Sequence, residues 1–273
     1  MDDQSIQSQA IGVFDSGIGG LTVANAILAQ LPNESICYFG DTAHIPYGTK
    51  QVPTIRQYCE QITTFLLTRS CKAIVVACNT ATAAALPHLR AKWPDIPFIG
   101  MEPAVKPAVM ASKSHKIGVL ATQTTFKSPR YQNLLTRFAE GYTCFENPCI
   151  GLVERIEAGE WEHPAVHLLL QKIIEPMLES GVDTLVLGCT HYPFVQPTIA
   201  SIAGRKVEII DPAPAIARQL ARVLAKHALS QLQPIVPKHE FWVSGNEDSM
   251  RRALTRTALG GDWEINRFKG EQR

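Results

Sequence analysis

Short, wholly apolar runs alternate along this chain with longer stretches in which apolar residues return every three or four positions. IGVFD (11–15), ICYFG (36–40), AIVVA (73–77), FIG (98–100), KIGVLAT (116–122) and TLVLGC (184–189) are of the first kind. Each predicts a strand covered on both faces, where no polar side is needed. Val52, Ile55, Cys59, Ile62 and Leu66 keep helical spacing, as do Val166, Leu169, Leu170, Ile173, Ile174 and Met177. Another helix is expected from about Leu21, after the glycine-rich turn DSGIGG, and a last strand and helix in EFWVSGNEDSMRRAL. Strands separated by helix-length segments imply mainly parallel sheets with helical crossovers, an α/β fold.

The pattern also repeats. IGVFDS (11–16) matches IGVLAT (117–122), VVACNT (75–80) matches VLGCTH (186–191), and FIGMEPA (98–104) matches EIIDPAP (208–214), with Glu102-Pro103-Ala104 falling on Asp211-Pro212-Ala213. The order is the same and the offsets, 106, 111 and 109, are nearly constant. Two related half-molecules are expected.

Charge narrows the function by exclusion. The 273 residues carry 26 basic and 25 acidic side chains, with no Lys/Arg block. Neither nucleic acid nor an anionic membrane is an expected partner. No apolar run approaches the roughly 20 residues of a membrane span. The opening MDDQSIQSQA is acidic and polar, unlike a secretory signal. Residues 1–10 read as a disordered extension. The seven cysteines are scattered singly without a CxxC pair, which suits free thiols in a reducing cytoplasm.

Two of those thiols stand where chemistry is expected. Cys78 and Cys189 each end a strand, and ligands of open α/β sheets sit beyond the carboxyl ends of strands. Each also begins, or nearly begins, a helix, whose free N–H groups favour negative charge. Two related halves facing each other would put two thiols on opposite sides of one carbon. One removes a proton and the other returns one, inverting the stereocentre. The competing reading makes a cysteine a small buried hydrophobe, and Cys37, Cys59, Cys71, Cys144 and Cys149 are assigned there. Asp15 and Ser16 end the first strand near Cys78, and Thr122 is the counterpart of Ser16. Asn79, Thr80, Thr122 and Thr190 offer uncharged donors to a carboxylate, or are ordinary caps. His191 suits a proton relay to Cys189. Zinc on Cys189 and His191, with His44 near, has poor ligand spacing, and no metal is expected.

VFDSGIGGLTV, GDTAHIPYGTK, ACNTATAAAL, GMEPAV, GCTHYPF and IIDPAPAIA, in this order, closely resemble the bacterial glutamate racemases, from Ile11 to the C-terminus. GCTHYPF and PYG distinguish them from the aspartate racemases, which typically carry an acidic residue where His191 stands. Arylmalonate decarboxylases keep one of the two cysteines. The resemblance implies two pseudo-symmetric α/β domains, residues 11–101 plus 213–273 and residues 102–212, with the active site in the cleft between them. It implies racemisation of L- and D-glutamate without a cofactor, supplying D-glutamate for peptidoglycan. Cys78 would act on D-glutamate and Cys189 on L-glutamate, assisted by Asp15 and His191. Ser16, Asn79, Thr80, Thr122 and Thr190 would hold the α-carboxylate and amine, and Pro46-Tyr47-Gly48 the distal carboxylate. The family's glutamate near the second cysteine follows a CPxxV segment. Here NPCIGLVERIEAG departs from that pattern, and Glu157 rather than Glu154 is aligned to it. A homodimer and activation by a cell-wall precursor are the remaining partner expectations. An aspartate or hydantoin racemase and a non-catalytic binding protein for a small acid are the alternatives.

Overall fold

The computed structural model describes residues 6–259 and 263–268. The chain divides into two compact units, one comprising residues up to Met101 and from Ala213 onward, the other Glu102–Pro212.

In the first unit β1 (Ile11–Asp15), β2 (Ile36–Gly40), β3 (Ala73–Val76) and β4 (Phe98–Gly100) alternate with α1 (Leu21–Gln30), α2 (Val52–Thr68) and α3 (Asn79–Lys92). Phe14, Phe39, Ile74 and Val76 meet Leu66 of α2 and Leu86 and Leu89 of α3 in one buried cluster. Burying each such side chain contributes about 1.5–3 kcal/mol. In register, Asp15 lies beside Gly40 and Phe14 beside Val76. The three central strands therefore end level, and Asp15, Asp41 and Cys78 follow from one edge of the sheet.

In the second unit α4 (Val105–Ala111) leads into β5 (Lys116–Ala121), α5 (Gln123–Phe126), α6 (Pro129–Phe138) and β6 (Thr143–Asn147). Then come α7 (Leu152–Glu157), α8 (Pro164–Glu179), β7 (Thr184–Gly188), α9 (Gln196–Ala203) and β8 (Glu208–Ile210). Its core joins Val105, Ile117, Val119, Tyr131 and Val186. The chain returns to the first unit as α10 (Ala213–Lys226), which packs on α1. There β9 (Glu240–Val243), α11 (Asp248–Leu254) and β10 (Ile265–Arg267) follow.

Among the described residues the first sheet runs β10-β9-β2-β1-β3-β4 and the second β6-β5-β7-β8, and every pairing is parallel. The order β2-β1-β3-β4 is that of β6-β5-β7-β8. The three sequence repeats fall on equivalent strands: β1 and β5, β3 and β7, β4 and β8. No helix among the described residues is long and apolar enough to cross a membrane.

One sequence expectation needs correction. Residues 6–10 are not a loose extension: Gln9 N–H closes a turn on the Ile6 carbonyl at 3.1 Å, and Lys72 N–H reaches the Ala10 carbonyl at 3.0 Å. The buried Lys72 ammonium, 2.6 Å from Glu34, also holds the Gln7 carbonyl. A charge in the interior demands such partners, and the polar segment supplies one. Residues 1–5 lie outside the described ones. The expected strand and helix of EFWVSGNEDSMRRAL are present as β9 and α11, and β10, three residues long, is too short to show in an apolar pattern.

Candidate active site

Cys78 is the N-cap of α3, and its sulfur accepts the Ala81 N–H at 3.4 Å. A helix end of fourteen residues stabilises negative charge there. The Cys78 thiol stands 3.8 Å from the Ser16 hydroxyl, which stands 3.2 Å from Asp15 Oδ1. Asp15 is fully buried and its carboxylate is clamped by backbone donors, Ser16 N–H at 2.6 Å and Gly20 N–H. Gly20 is required by close approach: a Cβ there would stand 2.8 Å from Asp15 Cβ and 3.1 Å from Ala77 Cβ. Asn79 opens α3 beside the thiol. Its amide is buried and neither Nδ2 nor Oδ1 has a hydrogen-bond partner among the described residues. An unpaired buried amide costs about 1–3 kcal/mol. Thr80 is buried as well, while Pro46 and Gly48 are half-buried.

Tyr47 is fixed by Asp41, whose carboxylate accepts the Tyr47 hydroxyl at 2.5 Å, pairs with His44 Nδ1 at 2.8 Å and accepts the Ser244 hydroxyl at 2.6 Å. Burial pushes the Tyr47 phenol well above its usual range, reinforced by Cys59, Asp41 and Cys78 nearby. It stays a neutral donor, and it pins the Pro46-Tyr47-Gly48 turn to the sheet edge that carries Cys78. Asp41 stands in the quoted motif GDTAHIPYG but sequence reasoning did not select it. The signal was a carboxylate directly after a strand end.

In the second unit Cys189 follows β7, the neighbour of β5, which ends just before Thr122. Thr122 is half-buried and caps α5, accepting the Thr125 N–H at 3.4 Å. Cys189, Thr190 and His191 are buried. The sequence expectation of a helix start beside each thiol is not met here. A 3₁₀ turn, Tyr192–Val195, intervenes and α9 begins only at Gln196. Pro193 and Pro197 cannot donate backbone hydrogen bonds. An imidazole takes the place of the helix end. His191 Nδ1 lies 3.7 Å from Cys189 Sγ and Nε2 lies 2.7 Å from Glu157 Oε1. Burial works to lower the His191 pKa, but hydrogen bonding to Cys189 and Glu157 outweighs it and raises the pKa well above the ordinary value. The ring therefore holds its proton more firmly than a free imidazole does, between sulfur and carboxylate. Glu154 is exposed one turn earlier on α7.

Sequence reasoning also passed over Cys149 and Tyr192 as site residues. Both are buried, and both lie close enough to Cys189 for its charge to act on them. Among the described residues no group of three or more His, Cys, Asp and Glu side chains is arranged to hold a metal ion. His44 belongs with Asp41 in the first unit.

Two parallel sheets of one strand order, each with a cysteine after the strand beside its first, define a class: α/β proteins built from one frame used twice, with a thiol at the same place in each half. The chain belongs to the Asp/Glu/Hydantoin racemase family, whose sequence model matches residues 11–220. It is 50% identical, over 92% of its length and 94% of the relative's, to the glutamate racemase of Pseudomonas aeruginosa. The glutamate racemase isoform RacE1 of Bacillus anthracis superposes with a TM-score of 0.86 at 34% identity, covering 96% of this chain and 98% of that one. The Escherichia coli glutamate racemase, solved with L-glutamate and the activator UDP-MurNAc-ala, superposes at 0.83 with 30% identity, covering 95% and 97%.

Proposed function

We infer that this chain is a glutamate racemase, interconverting L- and D-glutamate and supplying D-glutamate for peptidoglycan. The observation that carries the reading is the duplicated placement of Cys78 and Cys189 after equivalent strands, each with its own acid–base partners.

In the proposed mechanism the substrate Cα lies between the two sulfurs. With L-glutamate the Cys189 thiolate takes the Cα proton, and the Cys78 thiol gives its proton to the opposite face. D-Glutamate leaves, and the enzyme is left with Cys189 protonated and Cys78 ionised, the state that accepts D-glutamate. One C–H bond breaks and one forms, with no net proton change. The α-proton is weakly acidic, so the carbanion-like state needs donors placed in advance and water excluded. The unpaired Asn79 amide, Ser16, Thr80, Thr122 and Thr190 are assigned to the α-carboxylate and amine. The Pro46-Tyr47-Gly48 turn is assigned to the distal carboxylate. Asp15 assists Cys78, and Glu157 with His191 assists Cys189. We further propose a cytoplasmic enzyme that forms a homodimer and responds to a cell-wall precursor, as the activator bound to the Escherichia coli relative supports.

The test is stereochemical. In D2O each starting enantiomer should yield product carrying deuterium at Cα, and Cys78→Ser or Cys189→Ser should each lose at least about 10³-fold in kcat. Substantial racemisation by either variant, or product that keeps its original proton, overturns the two-thiol reading.

A further inference from the structure

Strands β2 and β9 run side by side with Gly40 in register with Val243, so the chain leaves the sheet twice at one level. Beyond that level Asp41-Thr42-Ala43 and Ser244-Gly245-Asn246 continue together, although 201 to 204 residues separate the bonded pairs. Ser244 N–H meets the Gly40 carbonyl at 3.2 Å. The Ser244 oxygen accepts the Ala43 N–H at 3.0 Å, and its proton goes to Asp41 Oδ1 at 2.6 Å. Thr42 answers from the other segment: its oxygen accepts the Gly245 N–H at 3.0 Å, and its proton goes to the Asn246 carbonyl at 3.3 Å. Gly245 is a point of close approach. A Cβ there would stand 2.8 Å from the Ala43 nitrogen and 3.0 Å from the Thr42 oxygen.

The carboxylate that Ser244 meets is the one that holds Tyr47. Asp41 Oδ1 takes Ser244 and His44 Nδ1, and Oδ2 takes the Tyr47 hydroxyl at 2.5 Å. A carboxylate is planar, so whatever fixes Oδ1 also aims Oδ2. Of these three side chains, Tyr47 and His44 belong to the same loop as Asp41 and move with it. Ser244 is anchored elsewhere, directly after β9, whose Phe241 and Val243 are fully buried. It therefore refers the carboxylate, and with it the Pro46-Tyr47-Gly48 turn, to a fixed part of the sheet.

We propose that Ser244, with Gly245 and Asn246, braces the 41–48 loop and is a positioning residue for the distal carboxylate of the substrate, acting through Asp41 and Tyr47. This role rests on the racemase reading and on the assignment of the Pro46-Tyr47-Gly48 turn to that carboxylate; the proteolytic readout below rests on neither.

In the full-length chain Ser244→Ala removes the bonds to Asp41 and Ala43, while Gly245→Ala pushes on the Ala43 backbone and leaves every side chain of the brace in place. In both, KM for glutamate should rise about fivefold or more while kcat stays within about twofold, the pattern of binding lost equally from substrate and transition state. A mere loss of folded enzyme would lower kcat and leave KM alone. Ser244→Thr keeps the hydroxyl and should hold KM within about twofold of the parent chain. Arg251→Ala, at an exposed ion pair on α11 in the same C-terminal segment, should change neither constant. The second readout is the initial rate of tryptic cleavage after Lys50, followed by mass spectrometry. Nicking concentrates where a loop opens, so this rate should rise about fivefold or more in Ser244→Ala and Gly245→Ala. If Gly245→Ala does not fold, Ser244→Ala carries the decision. A folded Ser244→Ala chain with the parent KM, beside a Tyr47→Phe chain with a raised one, overturns the proposal. If Tyr47→Phe also keeps the parent KM, faster cleavage leaves the brace standing and removes the turn from the substrate site, and unchanged cleavage overturns both. A parent chain that does not racemise glutamate removes the racemase reading, and the cleavage rates then decide the brace.

Discussion

Replacing Gly20 by alanine tests how tightly the first half-site is built. The backbone at Gly20 is right-handed, with φ −62° and ψ −12°, so any residue can adopt it. The only obstacle is space. The new Cβ would lie 2.8 Å from Asp15 Cβ, 2.9 Å from the Tyr38 hydroxyl and 3.1 Å from Ala77 Cβ. Ordinary carbon contacts begin near 3.5 Å, so the Asp15 contact is short by about 0.7 Å. Two of the three neighbours are Cβ atoms fixed to the ends of adjacent strands and cannot rotate away. Overpacking of this kind costs about 1–3 kcal/mol. The stiffer unfolded chain of an alanine variant offsets about 0.4–1 kcal/mol. If Asp15 moves it also loses the Gly20 N–H, a charge-assisted bond worth about 1.5–3 kcal/mol. A net loss of about 2–4 kcal/mol follows, read as a lower midpoint in chemical denaturation. Displacing Asp15 from the Ser16–Cys78 chain should also lower kcat/KM about 10²-fold, the scale for an ångström of misplacement. Gly141→Ala is the control. There φ is +80° and nothing lies within 4 Å of the added carbon, so about 1–2 kcal/mol of backbone strain should appear with activity unchanged. A Gly20→Ala variant within about 0.5 kcal/mol of the parent chain, or one that loses stability at full kcat/KM, would refute the argument.

Glu157→Gln should reveal the charge on His191. The folded-state pKa of His191 is raised, so its contribution to stability is complete below the unfolded value near 6.5 and disappears as pH rises through the folded value. The stability difference between the parent chain and Glu157→Gln should accordingly be largest in mildly acidic solution and shrink at alkaline pH; a difference that grows with pH has the wrong sign. Tyr47→Phe removes the donor at 2.5 Å from buried Asp41 but leaves His44 and Ser244 on it. A loss of about 1–3 kcal/mol is expected in thermal or chemical unfolding, with a raised KM for glutamate from the loosened turn; an unchanged KM would dissociate that turn from substrate.

The parallel strands were legible in the sequence because strands buried on both faces need no polar alternation, and IGVFD, ICYFG and TLVLG stand out as unbroken apolar runs. The repeat was legible for a related reason: the strand ends carry chemistry, so DS, CNT and CTH punctuate the runs. Contacts between distant segments left no such mark. Lys72, Glu34 and the Gln7 carbonyl meet from three segments, and each alone reads as an ordinary polar group. The left-handed turn at Cys149 falls on a residue with no propensity for it, so no glycine signals it. Asp41 resembles an ordinary loop acid until Tyr47, His44 and Ser244 converge on it from two segments. The 3₁₀ turn after Cys189 was foreseeable from Pro193 and Pro197, whose effect on the helix start was not drawn from the pattern.

That turn explains why one frame used twice carries different acid–base groups. At Cys78 the helix begins at once, and Ala81 N–H meets the sulfur while the Asp15 carboxylate stands against the Ser16 hydroxyl. At Cys189 the α-helix begins six residues later than it does after Cys78, and the His191 imidazole, its pKa raised, stands by the sulfur instead. The donors that favour negative charge at one sulfur are fixed helix-end dipoles, which do not titrate; at the other the donor is an imidazole, which does. L- and D-glutamate have equal free energy in water, so any substitution in either half must lower kcat/KM equally in both directions. Direction-dependent kinetics therefore cannot assign a defect to one half, but pH can. Gly20→Ala leaves His191 untouched and should lower the pH–rate profile without moving its alkaline limb. Glu157→Gln releases the His191 proton at lower pH and should draw the alkaline limb inward. If both variants shift the profile alike, the two thiols share one titrating environment and the division of roles argued from their surroundings is wrong.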